Sequence, residues 1–358
     1  MSNIKKIQQG LANQEFDAVI LTNQINRLYA TGFDSSAGAL FITATNAWFF
    51  TDSRYFEAAQ AAISDAQVTL INRNLSKEDQ YKVQIGKLVD EHGVKNVACE
   101  EKLLTYFEYT EWGKALNAKL VPLNRFITDM RAVKSKEDLE CMKKSQRISE
   151  KAFEEILPLI KPGITEKQLA AELVYRILKH GADTVAFKPI VVSGAKSSYP
   201  HGTPGDVEIS NGFLTMDFGA RVKGWCSDTT RTVCIGKPTD EMIKVYDTVL
   251  EAQLAAIDYA KAGLIGKDLD NAARSVITKA GYGDYFGHSL GHSIGLEVHE
   301  LPSASATSED VLPVGAVLTM EPGIYLPGRF GARIEDTVFL HENGNENLTS
   351  TPKTLLVL

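Results

Sequence analysis

The sequence predicts a chain of two parts: an N-terminal α/β unit and a larger α+β unit in which one order of elements occurs twice. Three observations support this prediction. The chain has 358 residues, enough for two domains with buried cores. Short apolar runs alternate with helical segments over roughly the first 120 residues. Beyond them, a long helix, a short helix and strands with polar side chains follow one another in the same order two times.

The N-terminal unit has the apolar spacing of alternating helices and strands. Its predicted helices are 3–13, 54–62, 77–92 and 103–117, and its predicted strands are 17–22, 39–43, 47–51, 67–71 and 96–99. The unit contains no phosphate-binding loop and no paired carboxylates, and its single histidine, His92, lies at a polar helix end. We therefore expect no chemistry within this unit.

The C-terminal unit follows a polar, charged connection. The predicted partition is an N-terminal domain 1–125, a linker 126–135 and a C-terminal domain 136–358. The predicted helices of the C-terminal domain are 136–159, 166–180, 239–261 and 267–280. Thr165 and Gln168 form a capping-box signal for the second of them. A strand at 186–193 precedes a first hairpin, and a second hairpin follows the last helix, so the architecture is repeated although the copies share no visible identity.

Composition excludes several classes of protein. Apolar content of 44% and charged content of 23% are those of a soluble globular chain. A formal charge of −7 without a long run of one sign argues against nucleic-acid binding. The first residues have no apolar signal core and no stretch is long enough to span a bilayer, which predicts a cytoplasmic protein without a membrane partner. The four cysteines have no CxxC spacing and are predicted to be reduced. Cys226 and Cys234 lie near Asp228, where a thiolate ligand is the alternative to packing.

The first hairpin, residues 212–236, carries two aspartates. β-Branched and apolar residues lead to Asp217, and a run rich in threonine and valine begins near Asp228. If the loop is 221–224, the two aspartates face each other and their Cβ atoms are about 5 Å apart. Two like charges at this distance require a cation between them or a proton on one of them. The hairpin therefore predicts a metal site.

The second hairpin carries two glutamates. Glu321 and Glu335 are equally distant from Gly328, which lies in the turn signal Leu-Pro-Gly-Arg, so they are predicted to face each other. The adjacent Asp336 should point to the opposite face because side chains alternate along a strand. A single acid at a strand end is usually a solvated surface charge. Four acids in two matched pairs beside apolar strands favour a metal site instead.

Between the hairpins, three of the seven histidines lie within a glycine-rich stretch: His288, His292 and His299. One histidine alone is more often packed or solvated, but three this close favour ligand or catalytic roles. His288 and His292 have the spacing of a helical zinc pair. Gly291 and the absence of an HExxH glutamate argue against that interpretation.

Four carboxylates and one imidazole form an oxygen-rich set suited to two divalent cations that share bridging acids. Mn²⁺ fits best, and Co²⁺, Fe²⁺ and Zn²⁺ remain alternatives because affinity order alone does not decide occupancy. Two ions about 3.5–4 Å apart would lower the pKa of a bridging water and polarise a carbonyl group. The expected reaction is hydrolysis of an amide or ester, with the remaining histidines orienting substrate and moving protons.

The motifs VSGAKSSYPHG, MDFGA, SDTTRT, GHSIGLEVHE, MEPGIY and ARIEDT resemble those of the pita-bread metallopeptidases, and in particular the Xaa-Pro aminopeptidase and prolidase branch. The resemblance covers roughly 130–358, and the N-terminal unit resembles the α/β creatinase-type N-terminal domain. It implies an α+β pita-bread fold with an internal pseudo-twofold repeat. The family's five metal ligands, in chain order, fall on Asp217, Asp228, His292, Glu321 and Glu335.

The resemblance also implies a role for each metal ligand. Asp228 and Glu335 would bridge both ions. Asp217 would complete one site, and His292 with Glu321 would complete the other.

Further roles are implied around the metal ions. His201 and His288 would contact substrate near the scissile bond, and His299 would stabilise the tetrahedral intermediate. Arg333 would support the site, and strand alternation places it on the face of Glu335. Ser293 stands where many relatives have glycine, and it is expected to narrow the space beside His292.

The function implied is a dinuclear exopeptidase acting on small peptides with proline in second position, that is, an Xaa-Pro aminopeptidase. The alternative is an Xaa-Pro dipeptidase, and a remoter one is a non-enzymatic peptide-binding protein. The N-terminal domain argues against a methionine aminopeptidase, and the intact ligand set argues against a creatinase-like hydrolase. The segment TDSRY (51–55) resembles one in small bacterial Xaa-Pro peptidases. Such relatives use this domain to dimerise and to wall off the partner's site, which predicts a homodimer.

Overall fold

The chain divides into two compact units, Met1–Met130 and Arg131–Leu358. The structure, a computed structural model, describes residues 2–71, 80–161 and 163–358. No helix in that described part is long and apolar enough to cross a membrane.

The first unit is a six-stranded mixed sheet with helices. Its helices are α1 Asn3–Leu11, α2 Gln24–Thr31, α3 Phe56–Ala62, α4 Gln80–Glu91, α5 Tyr106–Ala115 and α6 Phe126–Ala132, the last of which contains the boundary between the units. Its strands are β1 Ala18–Leu21, β2 Ala39–Thr43, β3 Ala47–Thr51, β4 Gln67–Leu70, β5 Asn96–Cys99 and β6 Lys119–Pro122. The sheet has the order β4-β3-β2-β1-β5-β6, in which β1, β2 and β3 pair antiparallel and the other neighbours pair parallel.

The predicted α/β alternation of this unit is confirmed, with three elements missed. The first five strands lie where they were predicted, and residues 77–79 of the predicted helix 77–92 lie outside the described residues. The missed elements are α2, β6 and α6. Asn23 caps α2 by accepting hydrogen bonds from two backbone amides, and Gly32 ends it at a φ of 70°. Helix α6 lies within the segment 126–135 that the sequence assigns to a linker, and its Ile127 is buried.

The second unit contains the predicted repeat of a long helix and a short helix. The helices are α7 Lys136–Ile156, α8 Glu166–Lys179, α9 Asp240–Tyr259 and α10 Gly266–Lys279. Helices α7 and α9 have 21 and 20 residues, and α8 and α10 have 14 each. The predicted capping box is confirmed: the side chain of Thr165 accepts from the amide of Gln168, and the Gln168 side chain accepts from the amide of Thr165. Two hydrophobic clusters form, one chiefly between α7, α8 and the strands of the first copy, the other chiefly between α9, α10 and those of the second.

The strands of the second unit form four small sheets. The strands of the first copy are β7 Thr184–Val185, β8 Ile190–Ser193, β9 Gly212–Phe218, β10 Ala220–Val222, β11 Trp225–Cys226 and β12 Thr229–Ile235. Those of the second are β13 Gly291–Ser293, β14 Glu300–Ala304, β15 Val317–Met320, β16 Gly323–Leu326, β17 Phe330–Arg333, β18 Asp336–His341 and β19 Gly344–Asn347. The sheet orders are β11-β10-β7, β12-β9-β8, β14-β13-β15-β18-β19 and β16-β17.

The register of the first hairpin differs from the prediction by two residues. Asp217 pairs with Thr230 rather than with Asp228. The cause is the turn, in which Lys223 and Gly224 alone connect the strands, with φ values of 51° and 86°. These positive values identify a two-residue hairpin turn. Asn, Asp or Gly usually occupies its first position, so the lysine there does not predict the turn from the sequence. A shift of two residues keeps every side chain on its face, so the aspartates are diagonal neighbours on the same face.

The register of the second hairpin is confirmed. Met320 pairs with Asp336 and Gly323 pairs with Arg333, so Glu321 lies opposite Glu335 in the gap between the two ladders. Gly328 forms the turn at a φ of 71°. Asp336 faces away from the glutamates, as predicted, and forms a buried ion pair with Arg231.

Hydrogen bonds join the two acid-bearing hairpins. The amide of Glu335 donates to the carbonyl of Thr230 over 3.1 Å. The hydroxyl of Thr232 donates to the carbonyl of Arg333 and accepts from its amide, over 3.0 and 3.2 Å. The acids of both hairpins are therefore brought to one place.

Candidate metal centre

Three of the predicted ligands form a compact carboxylate cluster. One oxygen from each of Asp217, Asp228 and Glu335 lies within 4.8 Å of the others. Each of these residues also has one buried oxygen without a hydrogen-bond partner: Asp217 Oδ1, Asp228 Oδ1 and Glu335 Oε1. An unsatisfied buried acceptor costs about 1–3 kcal/mol, and more when it is charged. Three such oxygens in one cluster fit a divalent cation.

His292 and Glu321 complete the predicted set. His292 Nε2 lies 3.3 Å from Glu321 Oε1 and 3.9 Å from Asp228 Oδ2. His292 Nδ1 lies 3.1 Å from the carbonyl oxygen of Ser293, which can only accept, so Nδ1 carries the proton. Nε2 is thus left to face two carboxylates, and a backbone carbonyl that fixes the other ring nitrogen is the usual arrangement of a metal-ligating histidine. All five predicted ligands therefore lie around one cavity.

The electrostatics of the cluster also require a cation or protons. Burial raises the pKa of Asp228 and of Glu335 well above their usual values, and nearby carboxylates raise both further. Burial raises the pKa of Asp217 as well, although Arg333 opposes the shift. Burial would also raise the pKa of Glu321, but the hydrogen bond and charge of His292 lower it to about 2.

These shifts predict how the metal-free protein responds to pH. The raised pKa values of Asp228 and Glu335 mean that the folded state binds protons that the unfolded state has released. The stability that proton binding by these two carboxyls gives the folded state is fully present below their pKa in the unfolded state. It is lost as the pH rises through their pKa in the folded state. We therefore expect the melting temperature of EDTA-treated protein to fall from mildly acidic to neutral pH. Added Mn²⁺ should restore it at neutral pH because the ion binds the folded state. Calorimetry checks this, and a melting temperature insensitive to both pH and metal would contradict it.

Arg333 holds Asp217 in place. Its Nη2 donates to Asp217 Oδ2 over 2.7 Å, and its Nε donates to Thr230 Oγ1 over 3.0 Å. Thr230 in turn donates to Glu335 Oε2 over 2.7 Å. The Nη1 atom donates to Tyr325 Oη over 2.8 Å and to the carbonyl of Pro200 over 3.2 Å.

Sequence reasoning assigned no role to Tyr325 or Thr230. The register of the second hairpin could have found Tyr325, whereas the register predicted for the first places Asp228 rather than Thr230 opposite Asp217. Tyr325 pairs with Gly331, two residues before Arg333, so the tyrosine and the arginine are diagonal neighbours on one face. Thr230 is directly opposite Asp217.

The three other predicted histidines line one cavity of about 490 Å³ together with all five predicted ligands and Arg333. His288 Nδ1 lies 2.8 Å from the carbonyl oxygen of Ser289, so Nε2 accepts from Tyr325 Oη over 2.9 Å. The ring of His299 is 4.4 Å from that of His292, and His201 is exposed. Burial lowers the pKa of His288 and His299, and the nearby charge of His292 lowers that of His299 further. Both are therefore neutral and able to accept a proton.

Ser293 does not narrow the space beside His292, so that prediction is wrong. Its Oγ donates to the carbonyl of Val317 over 3.0 Å and lies 3.3 Å from Lys134 Nζ. The reason is strand pairing: the register of β13 shifts between His292 and Ser293, and Ser293 pairs with Leu318 on β15. The cysteines are free, as predicted. Burial raises the pKa of Cys226 to about 11, and neither Cys226 nor Cys234 belongs to the carboxylate cluster or lines the cavity, so packing is the role that fits them.

Comparisons with known proteins agree with the fold. Residues 140–342 match the model of metallopeptidase family M24, and residues 3–133 match the creatinase/prolidase N-terminal domain. The Xaa-Pro dipeptidase of Pyrococcus horikoshii is 36% identical over 99% of this chain and 98% of its own. A solved Xaa-Pro dipeptidase from Bacillus anthracis is 38% identical, with a TM-score of 0.95 and 99% of each chain covered. An X-Pro aminopeptidase from Thermotoga maritima is also 38% identical, with a TM-score of 0.92 and 100% of each chain covered.

Together, these matches and the clustered acids define an enzyme that hydrolyses peptides, with a creatinase-type N-terminal domain and a pita-bread C-terminal fold. The chain belongs to metallopeptidase family M24. The predictions of family, fold and enzymatic nature are confirmed, and the non-enzymatic alternative is not retained.

Proposed function

We propose that the chain is a dinuclear metallo-exopeptidase that hydrolyses the bond between an N-terminal residue and a following proline. The observation that carries the proposal is the set of three buried, unpartnered carboxylate oxygens beside His292 and Glu321. Asp228 and Glu335 would bridge two ions. Asp217 would complete one site, and His292 and Glu321 would complete the second. An oxygen-rich set with one imidazole favours Mn²⁺ over softer ions, with Co²⁺, Zn²⁺ and Fe²⁺ as alternatives.

The protein groups divide the remaining tasks of hydrolysis. When bound, the ions would supply an activated water and polarise the scissile carbonyl. Arg333 fixes Asp217, and the hydroxyl of Tyr325 donates a hydrogen bond to His288 Nε2, which favours the neutral imidazole at the cavity wall. His201 and His288 would contact substrate near the scissile bond. His299 would donate a hydrogen bond to the oxyanion of the tetrahedral intermediate.

Two candidate substrate lengths follow from different observations. Arg333 is the one arginine or lysine lining the cavity in the described part of the chain, and protein groups occupy its Nε, Nη1 and Nη2 atoms. The terminal carboxylate of a dipeptide would thus find no ammonium group and at most one guanidinium N–H, on Nη2, which favours longer peptides and the aminopeptidase function. The second candidate, a dipeptidase, is favoured by the Pyrococcus horikoshii and Bacillus anthracis relatives, whose names are Xaa-Pro dipeptidase.

A peptide panel tests both candidates. Matched pairs of Xaa-Pro and Xaa-Pro-Xaa peptides, and the same peptides with alanine in place of proline, would be assayed with Mn²⁺, Co²⁺ and Zn²⁺ in turn. We expect cleavage of the tripeptide before proline, with the alanine peptides much slower. Cleavage of the dipeptide alone would replace the aminopeptidase by the dipeptidase. No cleavage of any proline peptide with any of the metals would contradict both.

The same proposal includes a homodimer formed through the N-terminal domain and a cytoplasmic location. Both rest on the resemblance to Xaa-Pro peptidases and on the composition described above. Light scattering of the purified protein would measure the mass in solution, and a monomer at working concentration would contradict the dimer.

A further inference from the structure

His288 is carried by a segment with no regular structure of its own. Residues 286–290 lie between a single 3₁₀ turn, Gly283–Tyr285, and strand β13. A helix or a strand would satisfy the backbone groups of such a segment internally, but here other partners must do so. The conformation at His288 therefore depends on groups outside the segment.

Two residues on α10 supply those partners. Arg274 Nη2 donates to the carbonyl of His288 itself over 2.8 Å, and Nη1 donates to the carbonyl of Phe286 over 2.9 Å. Asp270 Oδ1 accepts from the amide of Leu290 over 2.9 Å. The clasp, which we define as Asp270 and Arg274, thus binds the segment on both sides of the imidazole.

The clasp is held internally by a bidentate ion pair. Arg274 Nε donates to Asp270 Oδ2 over 2.6 Å, and Nη2 donates to Oδ1 over 3.0 Å. The two residues are four apart on one helix and therefore lie on one face. The side chain of Asp270 is 1% exposed and that of Arg274 is 26% exposed. A buried carboxylate paired in fork geometry leaves the guanidinium little rotational freedom.

Packing continues from the clasp to the imidazole. The guanidinium carbon of Arg274 lies 4.3 Å from the ring centroid of Phe286. The Phe286 ring meets the His288 ring edge-on, with centroids 5.1 Å apart. On the far side, His288 Nε2 is hydrogen-bonded to Tyr325. Both the backbone and the ring of His288 are therefore constrained from the helix.

We propose that Asp270 and Arg274 are positioning residues that fix the imidazole of His288 in the wall of the peptidase site. This inference rests on the proposed function, because it gives His288 a role toward substrate. The clasp lines neither the cavity nor the carboxylate cluster, so it acts through the segment 286–290 that carries His288.

The substitution Arg274→Lys tests the proposal with little disturbance of charge. Lysine can remain paired with Asp270, but its single ammonium group cannot reproduce the fork that also reaches two carbonyls. We expect kcat/KM for the preferred proline peptide to fall about 10–100-fold, with metal content unchanged. If Arg274→Lys proves poorly folded, Asp270→Asn serves instead, since it keeps the shape of the carboxylate but loses the ion pair.

A double-mutant cycle separates positioning from general stability. In a His288→Ala background, Arg274→Lys should cause no further loss of kcat/KM because its target is absent. An equal loss in both backgrounds would overturn the proposal. The matched control is Arg176→Lys on α8, where Arg176 forms an i,i+4 pair with Glu172, and it should retain parental kinetics.

A measurement independent of activity distinguishes this proposal from the proposed function. Imidazole ¹⁵N spectra of the metal-free protein, assigned with His288→Ala, should show His288 protonated at Nδ1 alone. Arg274→Lys should convert this signal to a mixture of tautomers, and an unchanged signal would overturn the proposal. A parent protein that cleaves no proline peptide would contradict the proposed function, while this spectrum would still decide the role of the clasp.

Discussion

Replacing Glu335 by alanine should abolish peptide hydrolysis and eliminate binding of the metal pair. Glu335 has one oxygen bound by Thr230 and one buried oxygen that faces Asp217 and Asp228 without a partner. Its loss removes the proposed bridge, so the effect should exceed the ~10–100-fold that an outer partner of a metal ligand contributes. Turnover with added Mn²⁺ and metal content by mass spectrometry would be measured together.

The metal-free form gives a second readout of the same substitution. Glu335 is a source of the repulsion that raises the pKa of Asp228. Its removal should therefore raise the melting temperature of EDTA-treated protein at neutral pH and remove the further gain on adding Mn²⁺. Glu335→Gln keeps an acceptor for Thr230 and should behave like Glu335→Ala. The control Glu342→Ala, at an exposed turn, should resemble the parent protein. Near-parental turnover of Glu335→Ala with Mn²⁺ would contradict the assignment.

Replacing His299 by alanine should remove most of the rate while leaving the metal in place. His299 lines the cavity beside His292 but is not part of the carboxylate cluster. Its imidazole is neutral, and it would donate to charge that develops only in the tetrahedral intermediate. Loss of one such donor costs about 10²–10³ in kcat. The expected result is a lower kcat at a similar KM.

The control for His299→Ala is His341→Ala, which removes an exposed imidazole from the same unit. Both variants should bind metal like the parent, and His341→Ala should also keep the parental rate. A large loss of metal from His299→Ala would mean that His299 is a ligand. An unchanged kcat would mean that the intermediate is stabilised elsewhere.

The two hairpins show what alternation can and cannot determine from sequence. The face of each acid was predictable, because a strand has a period of two and apolar residues mark the buried face. The register was predictable for the second hairpin, where Gly328 marks the turn. It was wrong for the first, where Lys223 adopts a positive φ that its side chain does not predict. The aspartates still meet because the error was an even number of residues.

Other parts of the site depend on tertiary contacts that local patterns do not encode. Ser293 follows a proposed ligand, yet its direction is set by pairing with the strand that contains Val317. The clasp of Asp270 and Arg274 looks like an ordinary i,i+4 surface pair until the segment 286–290 is placed against it. The missed helix α2 owes its bounds to Asn23 and Gly32, which are local signals that could have been used.

The division of the proposed ligands between the two repeats has an evolutionary consequence. The first repeat supplies Asp217 and Asp228, and the second supplies His292, Glu321 and Glu335, so neither repeat carries the whole set. If the repeats descend from one duplicated segment, a half-length ancestor could have gathered four carboxylates only by pairing with a second copy of itself. Fusion would then have released the two copies from symmetry, which allowed one of them to acquire the imidazole and both to diverge in the length of their acids.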